Sequence, residues 1–342
     1  MKISLLVPCY NEEKSLEASI KSCLNQTRKF DELVFIDDSS TDKTPQILAS
    51  FGDKIITHRV PKNTGNKSRA QEFGFQFVTG DFVVTTDADT LLKPNFVEEI
   101  EKSFQDPKVV AVAGVVKSLP YNWLTLCRAF DYVVGQYIHK LAQSHMNFIF
   151  VMPGAASAFR VETFRKYITF DHDTITEDLD FTYKIHRNQF KIVYNQQAIS
   201  YTQDPTNLKN YINQLRRWFG GGWQNVIKHY SIIVTKPIRA FELSVIYAEG
   251  LIFSVLIFII PFLNLWFAFW FVFGYFTIAF VFAVWAAWKE KRWALILVPF
   301  PYIFIMFVNA YVYLEQFVKE VIFRKKNLVW FKPDRVTITK TS

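Results

Sequence analysis

The chain has 342 residues, half of them hydrophobic and 17% aromatic, and a formal net charge of +8. That length accommodates a catalytic core with its own buried interior, and the basic balance raises nucleic acid as a partner. The basic residues, however, gather at the edges of apolar segments: Lys236 and Arg239, then Lys289, Lys291 and Arg292, then Arg324, Lys325 and Lys326. This is the positive-inside pattern with attraction to anionic membrane lipids, and it leaves no need for nucleic acid.

Met1-Lys2 leads straight into Ile3 to Val7, an apolar run too short for a signal peptide and without a cleavage-type sequence, so the first domain is expected to stay in the cytoplasm. Ile3 to Val7 and Glu32 to Ile36 read as strands, β-branched and aromatic runs ending in polar residues. Between them Glu12 to Asn25 reads as a helix, with Leu16, Ile20 and Leu24 at helical spacing. Such a βαβ unit favours parallel strands with a site at their carboxyl ends. Lys43 to Phe51 is the next expected helix, capped by Ser40 or Asp42, followed by a strand at Ile55 to Val60 and a helix at Lys67 to Val78. Asp81 to Thr86 is then a strand ending in Asp87-Ala88-Asp89. No G-x-G-x-x-G pattern follows the first strand, which disfavours a nicotinamide-binding fold.

Further along, Leu179, Phe181 and Ile185 suggest that Asp178 opens an amphipathic helix, where a helix N-terminus favours a carboxylate. Gln214, Arg217 and Trp218 occur at i, i+3 and i+4, on one helix face. From Gly250 to Trp288 there is no charged residue, a length close to two crossings of about 20 residues each, with Asn264 after Pro261 as the natural hairpin. Buried core helices of a soluble protein would lack the abrupt charged borders of this run. Trp293 to Leu314 is a second charge-free stretch. Three crossings, at Tyr247 to Leu263, Leu265 to Trp288 and Trp293 to Phe317, would put Arg324-Lys325-Lys326 outside, against the positive-inside pattern. Because Pro299 and Pro301 interrupt the third, two crossings are expected, with the third segment re-entrant or interfacial and both basic clusters cytoplasmic. Cys9, Cys23 and Cys127 are an odd number without metal-type spacing, which fits a reducing compartment.

The motifs Val7-Pro8-Cys9-Tyr10-Asn11-Glu12, Ile36-Asp37-Asp38-Ser39-Ser40-Thr41-Asp42, Asp87-Ala88-Asp89, Thr176-Glu177-Asp178 and Gln214-Leu215-Arg216-Arg217-Trp218 together, and in this order, resemble the signature set of glycosyltransferase family 2. Thr-Glu-Asp with Gln-x-x-Arg-Trp resembles more narrowly the branch of cellulose, chitin, hyaluronan and poly-N-acetylglucosamine synthases. The resemblance implies a GT-A fold, a Rossmann-like, mostly parallel α/β sheet, over residues 1–230. Interfacial and transmembrane helices over 231–323 and a basic polar tail over 324–342 would follow. It further implies an integral membrane, inverting transferase that takes a nucleotide-sugar donor, a UDP-sugar, and a carbohydrate or lipid acceptor.

The chemistry asks for particular residues. A departing nucleotide diphosphate gains negative charge, which a divalent cation held by hard oxygen ligands stabilises, so Mg²⁺ or Mn²⁺ is the implied cofactor. By resemblance Asp89 holds the metal and Asp87 shares it while contacting the nucleotide. Asp38 is the carboxylate that hydrogen-bonds the uracil ring, in a pocket closed by Pro8, Tyr10 and Glu12, while Asp37 is left to cap the next helix. Lys67 corresponds to a lysine that reaches the phosphates, and Asp178 to the general base that takes the acceptor hydroxyl proton. Arg217 pairs with the diphosphate, and Trp218, beside Gln214, offers a flat apolar face to a sugar. Val151 to Arg160, rich in small residues, resembles an acceptor loop where backbone approaches sugar. Plain readings stand beside these: a solvated turn for Asp87 and Asp89, a helix cap for Asp178, a surface Lys67, and a membrane-surface helix for Gln214 to Trp218 with Arg216, Trp223 and Lys228.

The polymer synthases usually carry membrane helices ahead of the catalytic domain and none is read here, so a compact member, a partner-dependent one or an enzyme for a lipid acceptor is expected. Ceramide glucosyltransferases share a motif of the Gln-x-x-Arg-Trp type, so single transfer to a membrane lipid, whether polyprenyl phosphate, ceramide or diacylglycerol, is the second reading. A transport component with a decayed transferase domain is the third, and the intact Asp87, Asp89, Asp178 and Arg217 oppose it. Trp330 and Arg335 faintly resemble the gating segment of the polymer synthases.

Overall fold

The computed structural model describes residues 1–235, 237–329 and 331–337, with side chains left aside at 233–242. Lys236, Trp330 and Ser342 therefore lie outside the described residues, as does the side chain of Arg239. The chain divides into two compact units, Met1–Lys117 with Lys140–Gln203 and Leu328–Ser342, and Ser118–His139 with Asp204–Asn327.

The first unit begins with β1 (Ile3–Cys9), α1 (Leu16–Leu24), β2 (Glu32–Asp37), α2 (Thr44–Ser50), β3 (Ile56–Arg59), α3 (Lys67–Phe75) and β4 (Phe82–Thr85). These are the elements the hydrophobic pattern predicts, with β1 and β2 slightly longer than expected and the other five shorter. Strand β5 (Leu91–Leu92), α4 (Phe96–Ser103) and β6 (Val109–Ser118) follow. In the second unit lies α5 (Trp123–Val134), ending in a π-helical turn at Gly135–His139. Back in the first unit are α6 (Lys140–His145), β7 (Ser157–Arg160), the single turn α7 (Val161–Thr163), α8 (Glu177–Arg187) and β8 (Lys191–Thr202).

The sheet order is β3-β2-β1-β4-β7-β6-β8-β5. β1 pairs in parallel with β2 and β4, and β2 with β3, whereas β4 with β7 and β6 with β7 are antiparallel. The parallel register aligns Cys9 with Asp37, so the loops after β1, β2 and β4 emerge at one carboxyl edge. Leu6, Val34, Ile36 and Val83 pack the core with Phe159, Phe164 and Phe181. Helix α3 lies close on the sheet at Gly74, where a Cβ would come within 2.5 Å of both Ile36 and Leu6, so glycine is required there.

The second unit adds α9 (Leu208–Lys228), α10 (Tyr230–Thr235), α11 (Pro237–Leu263), α12 (Leu265–Glu290), a 3₁₀ turn at Trp293–Leu297 and α13 (Pro299–Phe317). Among the described residues two helices are long and apolar enough to cross a membrane, Leu243–Leu263 and Leu265–Glu290. They break at Asn264, the expected hairpin, whose Oδ1 accepts from Phe267 N at 3.0 Å and caps α12. Trp266, Phe267, Phe269, Trp270, Phe273 and Val281 are exposed along α12, while Ala279, Ala283, Ala286 and Ala287 are buried. Large apolar side chains outward and small ones inward are compatible with a lipid-facing helix. Helix α13 differs. Its Asn309 accepts from Tyr211 of α9 at 2.7 Å and its Glu315 pairs with Arg216 at 2.8 Å. The prolines expected to interrupt it stand at its start, Pro299 as the first residue of the helix, where a missing N–H is harmless.

Candidate active site

The carboxyl edge of the parallel strands is built from interlocked loops. Asn11 and Ser39, just after β1 and β2, both adopt positive φ. Asn11 N donates to Ser40 Oγ at 3.0 Å, Thr41 N donates back to Asn11 Oδ1 at 2.8 Å, and Glu12 N donates to Thr44 Oγ1 at 2.8 Å. Of the adjacent acids, Asp37 Oδ1 accepts from Ser40 N at 2.9 Å and Oδ2 pairs with Arg59 at 2.5 Å. The N-cap position of α2 is Lys43, which makes no side-chain cap, rather than Ser40 or Asp42; Asp42, one residue earlier, accepts from Thr44 N at 2.9 Å. Asp38 holds the next loop, accepting from Thr64 N at 2.9 Å, Thr64 Oγ1 at 2.8 Å and Asn63 Nδ2 at 3.2 Å. Burial raises the Asp38 carboxyl above the usual range, opposed by the Thr64 hydrogen bonds. Pro8 and Tyr10 are half-buried beside this edge and Glu12 is buried.

The loop after β4 brings Asp87 and Asp89 to the same edge. Lys67, the first residue of α3, pairs with Asp87 at 2.5 Å and with Glu177 at 3.1 Å. Burial alone would lower the Lys67 ammonium, but the Asp87 and Glu177 carboxylates hold it above its ordinary value. Asp89 is 2% exposed and pairs with Arg335 of the tail at 2.5 Å. Burial lifts its carboxyl to about 6 against the pull of Arg335, with Glu12 and Asp87 adding to the rise. Asp178, the second residue of α8, receives Gly154 N at 3.3 Å on Oδ2. A Cβ at Gly154 would meet Lys67 Nζ at 2.9 Å and Asp178 Oδ2 at 3.7 Å. Asp87, Lys67, Glu177, Gly154 and Asp178 thus form one contiguous cluster, and the small-residue loop approaches it through backbone.

Both aspartates offer hard oxygen donors of the kind a divalent ion takes, and here Lys67 and Arg335 engage them instead. No group of three or more His, Cys, Asp or Glu gathers into a metal cage among the described residues. An ion here would take its remaining ligands from a diphosphate.

Three contributors carried little or no sequence signal. Glu177 lies inside a quoted motif but shows its role only through Lys67. Lys332, one basic residue of a basic tail, pairs with Glu12 at 3.1 Å and donates to the carbonyls of Tyr10 and Asn11. Lys140 is buried, and burial lowers its ammonium to about 8 although Asp178 opposes that shift.

In the second unit, Gln214 of α9 is buried, while Arg217 and Trp218 remain half-buried. Gln214 Oε1 is buried and accepts no hydrogen bond among the described residues. Of the neighbours named for a membrane-surface helix, Arg216 is paired with Glu315, and Trp223 is buried against Tyr247, Tyr313 and Phe317.

Comparison with known proteins follows this geometry. The family described as Glycosyl transferase family 2 matches residues 4–168. The hyaluronan synthase of Streptococcus pyogenes is 30% identical over 259 residues, 70% of this chain and 61% of that protein. The poly-beta-1,6-N-acetyl-D-glucosamine synthase of Staphylococcus epidermidis is 26% identical over 251 residues, 70% of this chain and 60% of that one. The chain thus spans about three-fifths of the length of these relatives. Among solved structures, the mannosyltransferase PcManGT of Pyrobaculum calidifontis, in complex with GDP-Man and Mn²⁺, matches with a TM-score of 0.59 at 18% identity, covering 87% of this chain and 85% of that one. S. aureus TarS 1-349 in complex with UDP gives a TM-score of 0.52 at 18% identity, covering 94% and 92%.

Proposed function

Because the chain carries, over residues 4–168, the domain of glycosyltransferase family 2, we propose that it transfers a sugar from a UDP-sugar, with inversion, to a growing β-linked polysaccharide at the cytoplasmic face of a membrane. The carrying observation is the cluster in which Lys67 links Asp87 to Glu177 while Gly154 N meets Asp178. It supports reading Asp87 and Lys67 as the donor side of the site and Asp178 as the carboxylate for an acceptor hydroxyl. The hyaluronan and poly-N-acetylglucosamine synthases support a polysaccharide product, and the TarS complex with UDP supports that nucleotide.

Asp89 and Asp87 would hold Mg²⁺ or Mn²⁺, which when bound supplies positive charge to the leaving diphosphate. The chain's own groups do the rest. Lys67 is held by two carboxylates beside the diphosphate position, where its charge complements the phosphates. Asp38 fixes the loop of Asn63 and Thr64, and with Pro8, Tyr10 and Glu12 frames the base pocket. Asp178 takes the proton of the acceptor hydroxyl; its position at the N-terminus of α8 favours the negative charge, and Gly154 N orients Oδ2. Gln214, Arg217 and Trp218 share one helix face, which is read as the acceptor side, and Gln214 Oε1 is buried there without a hydrogen bond among the described residues. Arg335 on Asp89 and Lys332 on Glu12 hold the tail over the same edge, from which a bound donor would displace it.

The test incubates the purified full chain with a panel of UDP-sugars and Mn²⁺ or Mg²⁺ and sizes the product. A ladder or polymer is the expected result. A single glycolipid product would establish transfer to a membrane lipid instead, and absence of both transfer and donor hydrolysis would end the enzymatic reading.

A further inference from the structure

Arg128 of α5 is buried, and its guanidinium is surrounded by rings of the second unit: Trp218 at 4.9 Å from the ring centroid, Tyr132 at 5.3 Å and Tyr211 at 5.6 Å. Two acids meet its charge, Asp131 at 2.7 Å and Asp204 at 3.6 Å. Desolvating an ion pair offsets most of its attraction, so hydrophobic residues of similar volume would serve stability as well. What an apolar residue cannot reproduce is a flat cation fixed against an indole face, and arginine stacks in this way where lysine does not. Trp218, the ring so engaged, is half-buried and keeps part of its surface open. Its neighbour Gln214, one turn earlier, brings a buried acceptor atom to the same helix face.

We propose that Arg128, anchored by Asp131 and Asp204, is a positioning residue that clamps Trp218 in the orientation in which it stacks on the acceptor sugar. This rests on the acceptor reading of α9 given above. An indole carried on a helix has rotamers to choose from, and a ring fixed before the sugar arrives loses less freedom on binding. The residue touches neither donor nor reacting atoms; it acts through Trp218, so its signature is on acceptor affinity.

The test uses the full chain in detergent with UDP-N-acetylglucosamine as donor and chitotetraose as acceptor, in a cycle of R128K, W218L and the double variant. R128K keeps the charge but removes the planar stack. It is expected to raise KM for chitotetraose about tenfold, within the range of a desolvated cation–π contact, with KM for the donor moved less than about twofold. W218L is expected to raise the acceptor KM at least as far, and the double variant to match W218L alone, because the clamp acts only through that ring. An unchanged acceptor KM in R128K, or effects that multiply in full, would overturn the clamp. An unchanged acceptor KM in W218L would instead overturn the acceptor reading of α9. Fluorine NMR of protein carrying 5-fluorotryptophan decides the contact even without turnover: the resonance lost in W218F is Trp218, and R128K must shift or broaden it. A resonance that does not move overturns the proposal. Should R128K fail to fold, D204N loosens the guanidinium while keeping it, and must shift the same resonance and raise the acceptor KM for the proposal to stand.

Discussion

Asp178 differs from its neighbour Asp180 in what surrounds it. Asp178 Oδ2 meets Gly154 N at 3.3 Å beside the Lys67 cluster, whereas Asp180 is buried against Lys184 at 2.9 Å, a structural pair. Asp178→Asn is therefore expected to lower turnover by about two orders of magnitude or more while UDP affinity, measured by calorimetry, stays within about twofold. Near-normal turnover would remove the base assignment. Gly154→Ala tests the same corner sterically. The added Cβ would come within 2.9 Å of Lys67 Nζ, at the end of a long side chain that can turn aside, so the ammonium leaves its place between Asp87 and Glu177 while the backbone is spared. Thermal stability is expected to change little and turnover to fall about tenfold, the scale of a misplaced charge-assisted contact; equal loss of both would mean a packing defect. The sequence exposed these acids because each closes a strand or opens a helix, positions readable from hydrophobic period. It could not expose Lys332, which pairs with Glu12, or Lys140, whose burial near the Asp178 charge is set by the fold, both partners being distant along the chain.

At the scale of elements, α9 and α13 are joined by polar contacts that a helix period alone does not reveal. Tyr211 is fully buried and donates to Asn309 at 2.7 Å. Tyr211→Phe leaves that amide oxygen without its donor, a loss of roughly 1–3 kcal/mol, and a domain this large shifts Tm by about 2–4 °C per kcal/mol. A lower Tm with unchanged donor affinity is expected; an unaltered Tm would show that water replaces the hydroxyl. The exposed half of the ladder, Arg216 with Glu315, is worth only about 0–1 kcal/mol and its removal is not expected to register. The same contacts explain why α13 was harder to read than α11 or α12. Its composition is apolar enough to suggest a span, but Asn309 and Glu315 are directed at α9, and Pro299 starts the helix where an internal kink was expected. In α12, uncharged from Leu265 to Trp288 and capped by Asn264, pattern and structure coincide because an apolar run between a cap and a charged border is read from sequence alone.

For the whole molecule, the tail supplies an argument about topology by parity. Lys332 pairs with Glu12 and Arg335 with Asp89, so the chain after Leu328 belongs to the same unit as the strands of the N-terminal half. Two segments of one compact unit share one side of a membrane, and the number of crossings between them must be even. The two helices apolar enough to cross, Leu243–Leu263 and Leu265–Glu290, make an even number, and α13 as a third crossing would break it. The basic clusters agree: with two crossings, Lys289, Lys291 and Arg292 fall on the side of the N-terminal strands, and so do Arg324, Lys325 and Lys326. Single cysteines at Asn264 and Lys325 test this with a membrane-impermeant thiol reagent on intact cells, in a background lacking Cys9, Cys23 and Cys127. N264C is expected to react from outside and K325C only after permeabilisation. Reaction of K325C in intact cells would require a third crossing, and the pairs of Lys332 with Glu12 and Arg335 with Asp89 could then not form in the membrane-embedded enzyme.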